Sequence, residues 1–119
     1  GEYARMLDKE LGHIDFNQPA VVIERLIRGL NPWPSAYTYI DGKTLKIWEA
    51  EVLDRNYGCE YGEVAEVTRN SLIIQTGVGA LSVKSVQLEG KKRMDISAFL
   101  NGYTIEKGIR MDFENETNE

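Results

Sequence analysis

The chain has 119 residues, 42% of them hydrophobic and 28% charged, and a formal net charge of −5. This length fits one domain, and the composition is that of a globular protein rather than a disordered one. The single cysteine, Cys59, excludes an internal disulfide. With His13 as the one histidine, no zinc site of ordinary ligand spacing can be built, so we expect no bound metal.

No segment predicts a membrane span or a secretory signal. The longest uncharged stretch, residues 70–83, contains Ser71, Gln75 and Thr76 and is too short and too polar to cross a bilayer. The N-terminal segment carries several charges and no apolar run, unlike a signal peptide. We therefore expect a cytoplasmic protein without membrane contact.

The negative charge is concentrated at the C-terminus. Four of the 19 acidic residues lie in residues 112–119, so residues 1–111 carry 15 acidic against 14 basic residues, a net charge of −1. We expect this acidic tail, 112–119, to be disordered. Because the remainder is nearly neutral, any attraction to nucleic acid has to come from a local cluster of basic residues.

The first predicted elements are a lead-in segment and a helix. Residues 1–16 predict an irregular interdomain segment anchored by scattered apolar residues, namely Tyr3, Met6, Leu7, Leu11, Ile14 and Phe16. Residues 18–30 then predict an amphipathic helix from the spacing of Ile23, Leu26, Ile27 and Leu30. Asn17 is the predicted N-cap, Pro19 suits the first turn, and Gly29 with Asn31-Pro32 ends the helix.

Five strands follow, at residues 36–40, 43–53, 63–67, 71–76 and 81–88. Asp41-Gly42 is a strong hairpin signal between the first two, and Arg69-Asn70 joins the third and fourth. The apolar alternation slips between Ile47 and Trp48 and again between Val83 and Val86. Such slips predict β-bulges and favour a small barrel over a flat sheet.

A short helix is predicted over 95–101, with Asp95 as its cap and Gly102 as its end. Together these elements predict a mainly β domain over residues 17–111. Its expected form is a small five-stranded Greek-key barrel of the oligonucleotide/oligosaccharide-binding (OB) type, with a leading helix and a short C-terminal helix.

No set of residues predicts a self-contained active site. His13 lies in the lead-in segment, and neither Ser35 nor Ser85 is flanked by the glycines of a nucleophile elbow. The turn Gly77-Val78-Gly79 lacks the third glycine and the following helix of a dinucleotide site. We therefore expect no catalytic residue in this chain.

Basic residues cluster at two places in the pattern. Lys91, Lys92 and Arg93 follow Gly90 on the loop after the fifth strand, and Lys43 and Lys46 follow the first hairpin. Loops and one strand face of such a barrel commonly bind nucleic-acid phosphates. From spacing alone, the alternative that these side chains only keep loops soluble stays open.

Aromatic residues allow the same two interpretations. Trp33 and Trp48 are more typical of packing anchors, in the core or between domains, than of platforms for bases. Tyr37 and Tyr39 share one strand face, so we expect at least one of them to be exposed.

Several segments together resemble the C-terminal domain of bacterial methionyl-tRNA formyltransferase, over about residues 3–111. They are Tyr3-Ala4, Lys9-Glu10, Ile14-Asp15-Phe16, Ile27-Arg28-Gly29-Leu30, Asn31-Pro32-Trp33-Pro34, Gly90-Lys91-Lys92-Arg93-Met94 and Phe99-Leu100-Asn101-Gly102. In this order they are specific, although the NPWP string alone is weak. Phe16 departs mildly, since the family frequently has Trp there.

The resemblance implies a function that is divided between domains. The family's enzyme transfers a formyl group from 10-formyltetrahydrofolate to methionine on initiator tRNA. Its catalytic residues and folate pocket belong to a preceding Rossmann-like domain, and no segment here matches their motif. The resemblance thus implies no cofactor in this domain, which we expect to be inactive alone and monomeric. Its partners are initiator methionyl-tRNA and the N-terminal catalytic domain of the same polypeptide.

Candidate tRNA contacts follow from the same resemblance. Lys91, Lys92 and Arg93 match the family's basic motif, and Lys43 and Lys46 are added from their position beside the hairpin. The alternative function is an accessory scaffold in a related formyltransferase or a formyl-tetrahydrofolate hydrolase acting on a small molecule. The basic loop favours the tRNA hypothesis, whereas the net charge of −5 favours the scaffold.

Overall fold

The computed structural model describes residues 11–112. The elements in this range, in chain order, are helix α1 (Ala20–Gly29), strands β1 (Ala36–Ile40), β2 (Lys43–Leu53), β3 (Val64–Val67), β4 (Leu72–Gln75), β5 (Ala80–Leu88) and β6 (Met94–Asp95), and helix α2 (Ile96–Gly102). The predicted mainly β fold with two helices is therefore confirmed. In the part of the chain that the structure describes, no helix is long and apolar enough to cross a membrane.

Helix α1 packs its apolar face on the sheet but begins later than the sequence predicts. Pro19, not Asn17, occupies the N-cap position, and no side chain caps the helix. The Asn17 prediction is wrong because the backbone before the helix pairs instead with the turn between β4 and β5. There Gly77 N–H donates to the carbonyls of Phe16 and Gln18, and Ala20 N–H donates to Val78 O.

The strands form an antiparallel sheet in the order β1-β2-β5-β4-β3, with β6 paired to β5. Strand β5 therefore lies between two strands that precede it in the sequence. Its register with β2 runs from Ile47 opposite Val86 to Glu49 opposite Ser85, and then to Ala50 opposite Val83. Trp48 and Lys84 are left without a ladder partner, so both predicted slips in alternation are confirmed as one bulged region.

The strand pairs leave the sheet open between its edges, β1 and β3. Two segments outside the predicted strands cover these edges. Residues 12–14 pair with β1 through Tyr37, and residues 108–111 pair with the start of β3 through Gly62 and Val64. The second segment then reaches β1 as well, because Asp112 N–H donates to Tyr39 O at 2.8 Å.

The core lies between α1, α2 and one face of the sheet. Its largest fully buried side chains include Ile23 and Ile27 of α1 and Leu45, Leu72 and Leu81 of the strands. A second, smaller cluster of Ala65, Ile73 and Ala80 forms beneath the loop that follows β2. Both faces of the central strands are therefore covered.

The ends of the described range contribute to this core. Ile14 and Phe16 are buried, as expected of anchors, whereas Leu11 is 53% exposed. Tyr3, Met6 and Leu7 lie outside the described residues, as does the acidic tail beyond Asp112. Asp95 occupies the N-cap position of α2 as predicted, but its carboxylate accepts a bond from Ser97 Oγ at 2.7 Å rather than from the backbone.

Candidate nucleic-acid interface

The five candidate cations lie at one end of the β2–β5 ladder. Lys43 is the first residue of β2, directly after the tight turn at Asp41-Gly42, where both residues have positive φ angles. In the ladder Lys46 lies opposite Gln87, so the loop that leaves β5 passes beside the start of β2. We call Lys43, Lys46, Lys91, Lys92 and Arg93 the basic surface.

Trp48 joins the two halves of this surface. The guanidinium carbon of Arg93 lies 4.9 Å from the centroid of the indole ring, and the ammonium nitrogen of Lys46 lies 5.9 Å from it. Trp48 Nε1 donates to Gln87 Oε1 at 3.1 Å, and Gln87 Nε2 donates to the carbonyl of Lys91 at 3.0 Å. One side chain of β2 and one of β5 thus contact both basic segments.

The guanidinium of Arg93 is only partly occupied by protein groups. Its Nε donates to Ser85 Oγ at 3.2 Å. Within residues 11–112 its terminal nitrogens have no hydrogen-bond partner, and the side chain belongs to an exposed residue. A planar group with free donors suits the oxygens of a phosphate.

None of the five cations forms an ion pair with an acid in the described range. By contrast, Arg28 pairs with Glu24 at 2.7 Å, and Lys84 pairs with Glu51 at 3.7 Å. Glu89, in the loop that follows β5, accepts a bond at its carboxylate from the backbone N–H of Thr44 at 2.7 Å. The positive charge of the basic surface is therefore available to an external anion.

Lys43 lies beside a different aromatic ring from Lys46 and Arg93. Its ammonium nitrogen lies 5.9 Å from the ring centroid of Tyr103, whose hydroxyl donates to Asp41. Burial and the bond to Asp41 raise the pKa of Tyr103 to about 12. The structure therefore places Lys46 and Arg93 at Trp48 and Lys43 at Tyr103, whereas Lys91 and Lys92 are exposed in the loop between β5 and β6.

Sequence reasoning missed Trp48 and Gln87 as members of this site. Trp48 was expected to be a packing anchor, but it is half-buried and contacts two cations. The slip in alternation at Ile47 and Trp48 was the available signal, because a bulge turns a side chain away from the core. No local pattern marks Gln87.

Trp33 is not an anchor in the core of this domain, since 71% of the residue is exposed, whereas its expected role as an anchor between domains stays a prediction. The loop around it is held by other groups. Asn31 Nδ2 donates to Trp48 O at 3.0 Å, Ser35 N–H donates to Leu30 O at 2.9 Å, and Ser35 Oγ donates to Pro32 O at 3.0 Å. Because these bonds do not involve the indole, we expect Trp33 to contribute little to the stability of this domain.

A second aromatic cluster lies at the β1 edge, and we call it the Asp112 corner. The ring of His13 stacks on Tyr37 with centroids 5.2 Å apart, and Tyr39 packs edge-on against both. The Asp112 carboxylate contacts His13 Nε2 at 3.0 Å and accepts bonds from Thr38 Oγ1 at 2.8 Å and Tyr39 N–H at 3.0 Å. As expected, one of the two tyrosines, Tyr39, is exposed.

A cavity of about 380 Å³ opens beside this corner, between the lead-in segment and the C-terminal segment. Its walls include Ile14, Phe16 and Met111, which are all core residues. No three His, Cys, Asp or Glu residues in the range 11–112 are grouped so that they could hold a metal ion.

Residues 6–104 match the family model described as "Formyl transferase, C-terminal domain". The chain is 55% identical over 106 residues to a methionyl-tRNA formyltransferase of Agathobacter rectalis, a match that covers 89% of this chain and 34% of the relative. It is 52% identical over 114 residues to the protein of the same name in Lachnospira eligens, covering 92% and 36%. The chain therefore spans about a third of the length of these relatives.

Among solved structures, the chain resembles HypX from Aquifex aeolicus in complex with tetrahydrofolic acid. The TM-score is 0.60 at 20% sequence identity, and the match covers 89% of this chain and 21% of HypX. A likeness at this identity shows a common fold.

Proposed function

The chain belongs to the formyl transferase C-terminal domain family, and from that premise we propose that it is the tRNA-binding domain of a methionyl-tRNA formyltransferase. In this proposal its partners are initiator methionyl-tRNA and an N-terminal catalytic domain of the same polypeptide. That domain binds 10-formyltetrahydrofolate and carries out formyl transfer. The present domain contributes no catalytic residue, acts as a monomer and works in the cytoplasm.

The observation that carries the proposal is the basic surface. Its five cations come from two segments that are distant in the sequence, and none is neutralised by an acid within the described residues. Phosphate contacts by lysine and arginine position an RNA and supply much of its affinity without reading its sequence. A tRNA-binding domain needs a surface of this kind even when its overall charge is negative.

We also propose that the sheet adopts the OB-type Greek-key arrangement. Three features support this proposal: β5 lies between β2 and β4, the long strand β2 is bulged at Trp48, and residues 108–112 reach from β3 to β1. A curled sheet of this type presents loops from one end together, which suits the position of the basic surface.

The experiment is a salt titration of initiator-tRNA binding, made with the longest natural polypeptide that carries this sequence. Each phosphate contact contributes roughly 0.7–0.9 to the slope of log affinity against log salt concentration. We expect the double change Lys91→Ala and Lys92→Ala to flatten that slope by about one to two, with little change in melting temperature.

Lys84→Ala is the matched control, because it removes a lysine that Glu51 already pairs. We expect its slope to equal that of the parent. If the double variant folds normally and also keeps the parental slope, then the tRNA meets another face or the domain is only a scaffold.

A further inference from the structure

We infer that Trp48 and Gln87 are positioning residues of the basic surface, which hold Arg93 and Lys46 for contact with tRNA phosphates. This inference rests on the proposed function and deepens it. Neither residue carries charge, and neither was a candidate contact. Their role is to fix where two like charges lie in relation to each other.

A chain of two hydrogen bonds runs through the side chain of Gln87. Its side-chain oxygen accepts from the indole of Trp48 at 3.1 Å, and its side-chain nitrogen donates to the Lys91 carbonyl at 3.0 Å. The loop 91–93 is otherwise attached near its start by one backbone bond, Lys91 N–H to Leu88 O at 2.9 Å. Gln87 therefore ties the loop to β2 across the ladder, two residues before Arg93.

The indole ring of Trp48 lies beside both cations. Two cations brought together repel each other, whereas the electron-rich face of an aromatic ring attracts both. Arg93 and Lys46 lie within 6 Å of the same ring centroid, at 4.9 and 5.9 Å. Because Ser85 binds only Nε of Arg93, the terminal nitrogens of the guanidinium stay open to a phosphate.

A bulge in β2 sets the direction of the Trp48 side chain. The ladder passes from Ile47 to Glu49 without a partner for Trp48, so this residue is the extra one in β2. Its carbonyl is not left free, since Asn31 Nδ2 donates to it at 3.0 Å. The loop after α1 therefore fixes the bulge, and the bulge fixes the ring beneath the two cations.

The test uses substitutions that change no charge. Gln87→Leu removes both hydrogen bonds, Trp48→Leu removes the ring, and Trp48→Phe keeps a ring without the N–H. The probe is an in vitro transcript of initiator tRNA, and the protein is the longest natural polypeptide that carries this sequence. The measured quantities are Kd at several salt concentrations and the melting temperature.

We expect Trp48→Leu and Gln87→Leu to raise Kd by roughly two- to fivefold for each cation released. The salt slope is expected to flatten by about one, although the net charge is unchanged. Trp48→Phe is expected to restore part of the affinity. Gln87→Met is a second variant, to be used if Gln87→Leu does not fold. The control is Gln18→Leu, at an exposed glutamine whose carbonyl accepts from Gly77 in the turn before β5.

A double-mutant cycle separates positioning from direct contact. In a protein that already carries Lys46→Ala and Arg93→Ala, Trp48→Leu is expected to cause no further loss. A further loss equal to that in the parent would mean that the indole itself contacts RNA and would overturn the inference. Parental binding by folded Trp48→Leu and Gln87→Leu variants would overturn it as well.

The double variant Lys91→Ala and Lys92→Ala distinguishes a failure of the proposed function from a failure of the positioning role. If the variant with Lys91→Ala and Lys92→Ala binds as the parent does, the basic surface is not the tRNA interface at all. If that variant loses affinity while the uncharged variants do not, the interface stands and only the positioning role is wrong.

Discussion

The basic surface and the Asp112 corner both combine aromatic rings with charged groups, but they differ in what satisfies the charge. At the corner, three donors of the protein surround one carboxylate, from His13, Thr38 and Tyr39. At Trp48, two cations share a ring and no acid in the described range pairs with them. The carboxylate of the corner has its partners within the chain, whereas the cations of the basic surface have no acidic partner in the described range.

Whether an aromatic cluster stabilises the fold or is open to a ligand therefore depends on the partners of the charged groups beside its rings. Each Asp112 contact joins segments that are far apart in sequence: residues 13 and 112 are separated by 99 positions and residues 38 and 112 by 74. Such contacts close the fold. The cations at Trp48 add little to folding, because exposed charges contribute little to stability.

Of the substitutions at the two aromatic clusters, Asp112→Ala has the largest expected effect on stability. Asp112→Ala leaves the hydroxyl of Thr38, a residue that is 0% exposed, without its acceptor. Leaving a buried donor unpaired costs about 1–3 kcal/mol of unfolding free energy. Denaturant unfolding of the variant measures this loss.

Asp112→Asn is the control, because the amide oxygen can still accept a bond and asparagine tolerates the positive φ of 69° at this position. We expect Asp112→Asn to retain most of the stability. We expect neither Asp112→Ala nor Asp112→Asn to alter the salt dependence of tRNA binding. An Asp112→Ala variant as stable as the parent would contradict the view of the corner as a closing element.

Tyr103 differs from both clusters in having a cation, Lys43, and an acid, Asp41, beside the same ring. Its pKa of about 12 lies above the ordinary value near 10, through burial and the bond to Asp41. Since the fold favours the neutral phenol, the resulting stability is complete below about pH 10 and is lost as pH rises through about 12.

The measurement is the tyrosinate absorbance of the parent minus that of Tyr103→Phe, as a function of pH. Asp41→Ala is expected to move this difference titration toward lower pH. A difference titration with its midpoint near the ordinary value of about 10 would mean that the Asp41 contact does not stabilise the neutral phenol.

The smallest expected effect is that of Trp33→Ala. A buried aromatic loses about 3–5 kcal/mol on truncation, but Trp33 is 71% exposed, so we expect a change within about 0.5 kcal/mol. Phe99→Ala, at a site that is 4% exposed, is the matched control and should show the large loss. Equal losses for both would mean that the loop around Trp33 depends on its indole after all.

Local patterns predicted the elements well. The spacing of Ile23 and Ile27 predicted α1, and the turn at Asp41-Gly42 predicted the first hairpin, because both signals act over a few residues. The pairing of the edges was not predictable in this way. Residues 108–112 form no strand of their own, and their partners, Gly62, Val64 and Tyr39, are more than forty residues away.

The candidate site, too, could be predicted only where its signal lies within a few residues of sequence. Its cations were visible as a run in the sequence, whereas the bond between Trp48 and Gln87 spans 39 positions and depends on the register of β2 with β5. A bulge shifts that register, so the partner of Trp48 could not be counted from either strand alone. A place for Trp33 in the core was expected because tryptophan is usually buried, and no local pattern indicates that 71% of this residue is exposed.

The segment 108–112 has a consequence for the behaviour of the protein at high concentration. Its backbone occupies hydrogen-bonding groups of Gly62 and Val64 at one edge of the sheet, and of Tyr39 at the other. Uncovered edge strands are templates on which a second molecule can add its own strand, and this is a common start of aggregation. By pairing with the start of β3 and with Tyr39 of β1, these five residues leave fewer backbone groups at either edge to which a second molecule could add a strand.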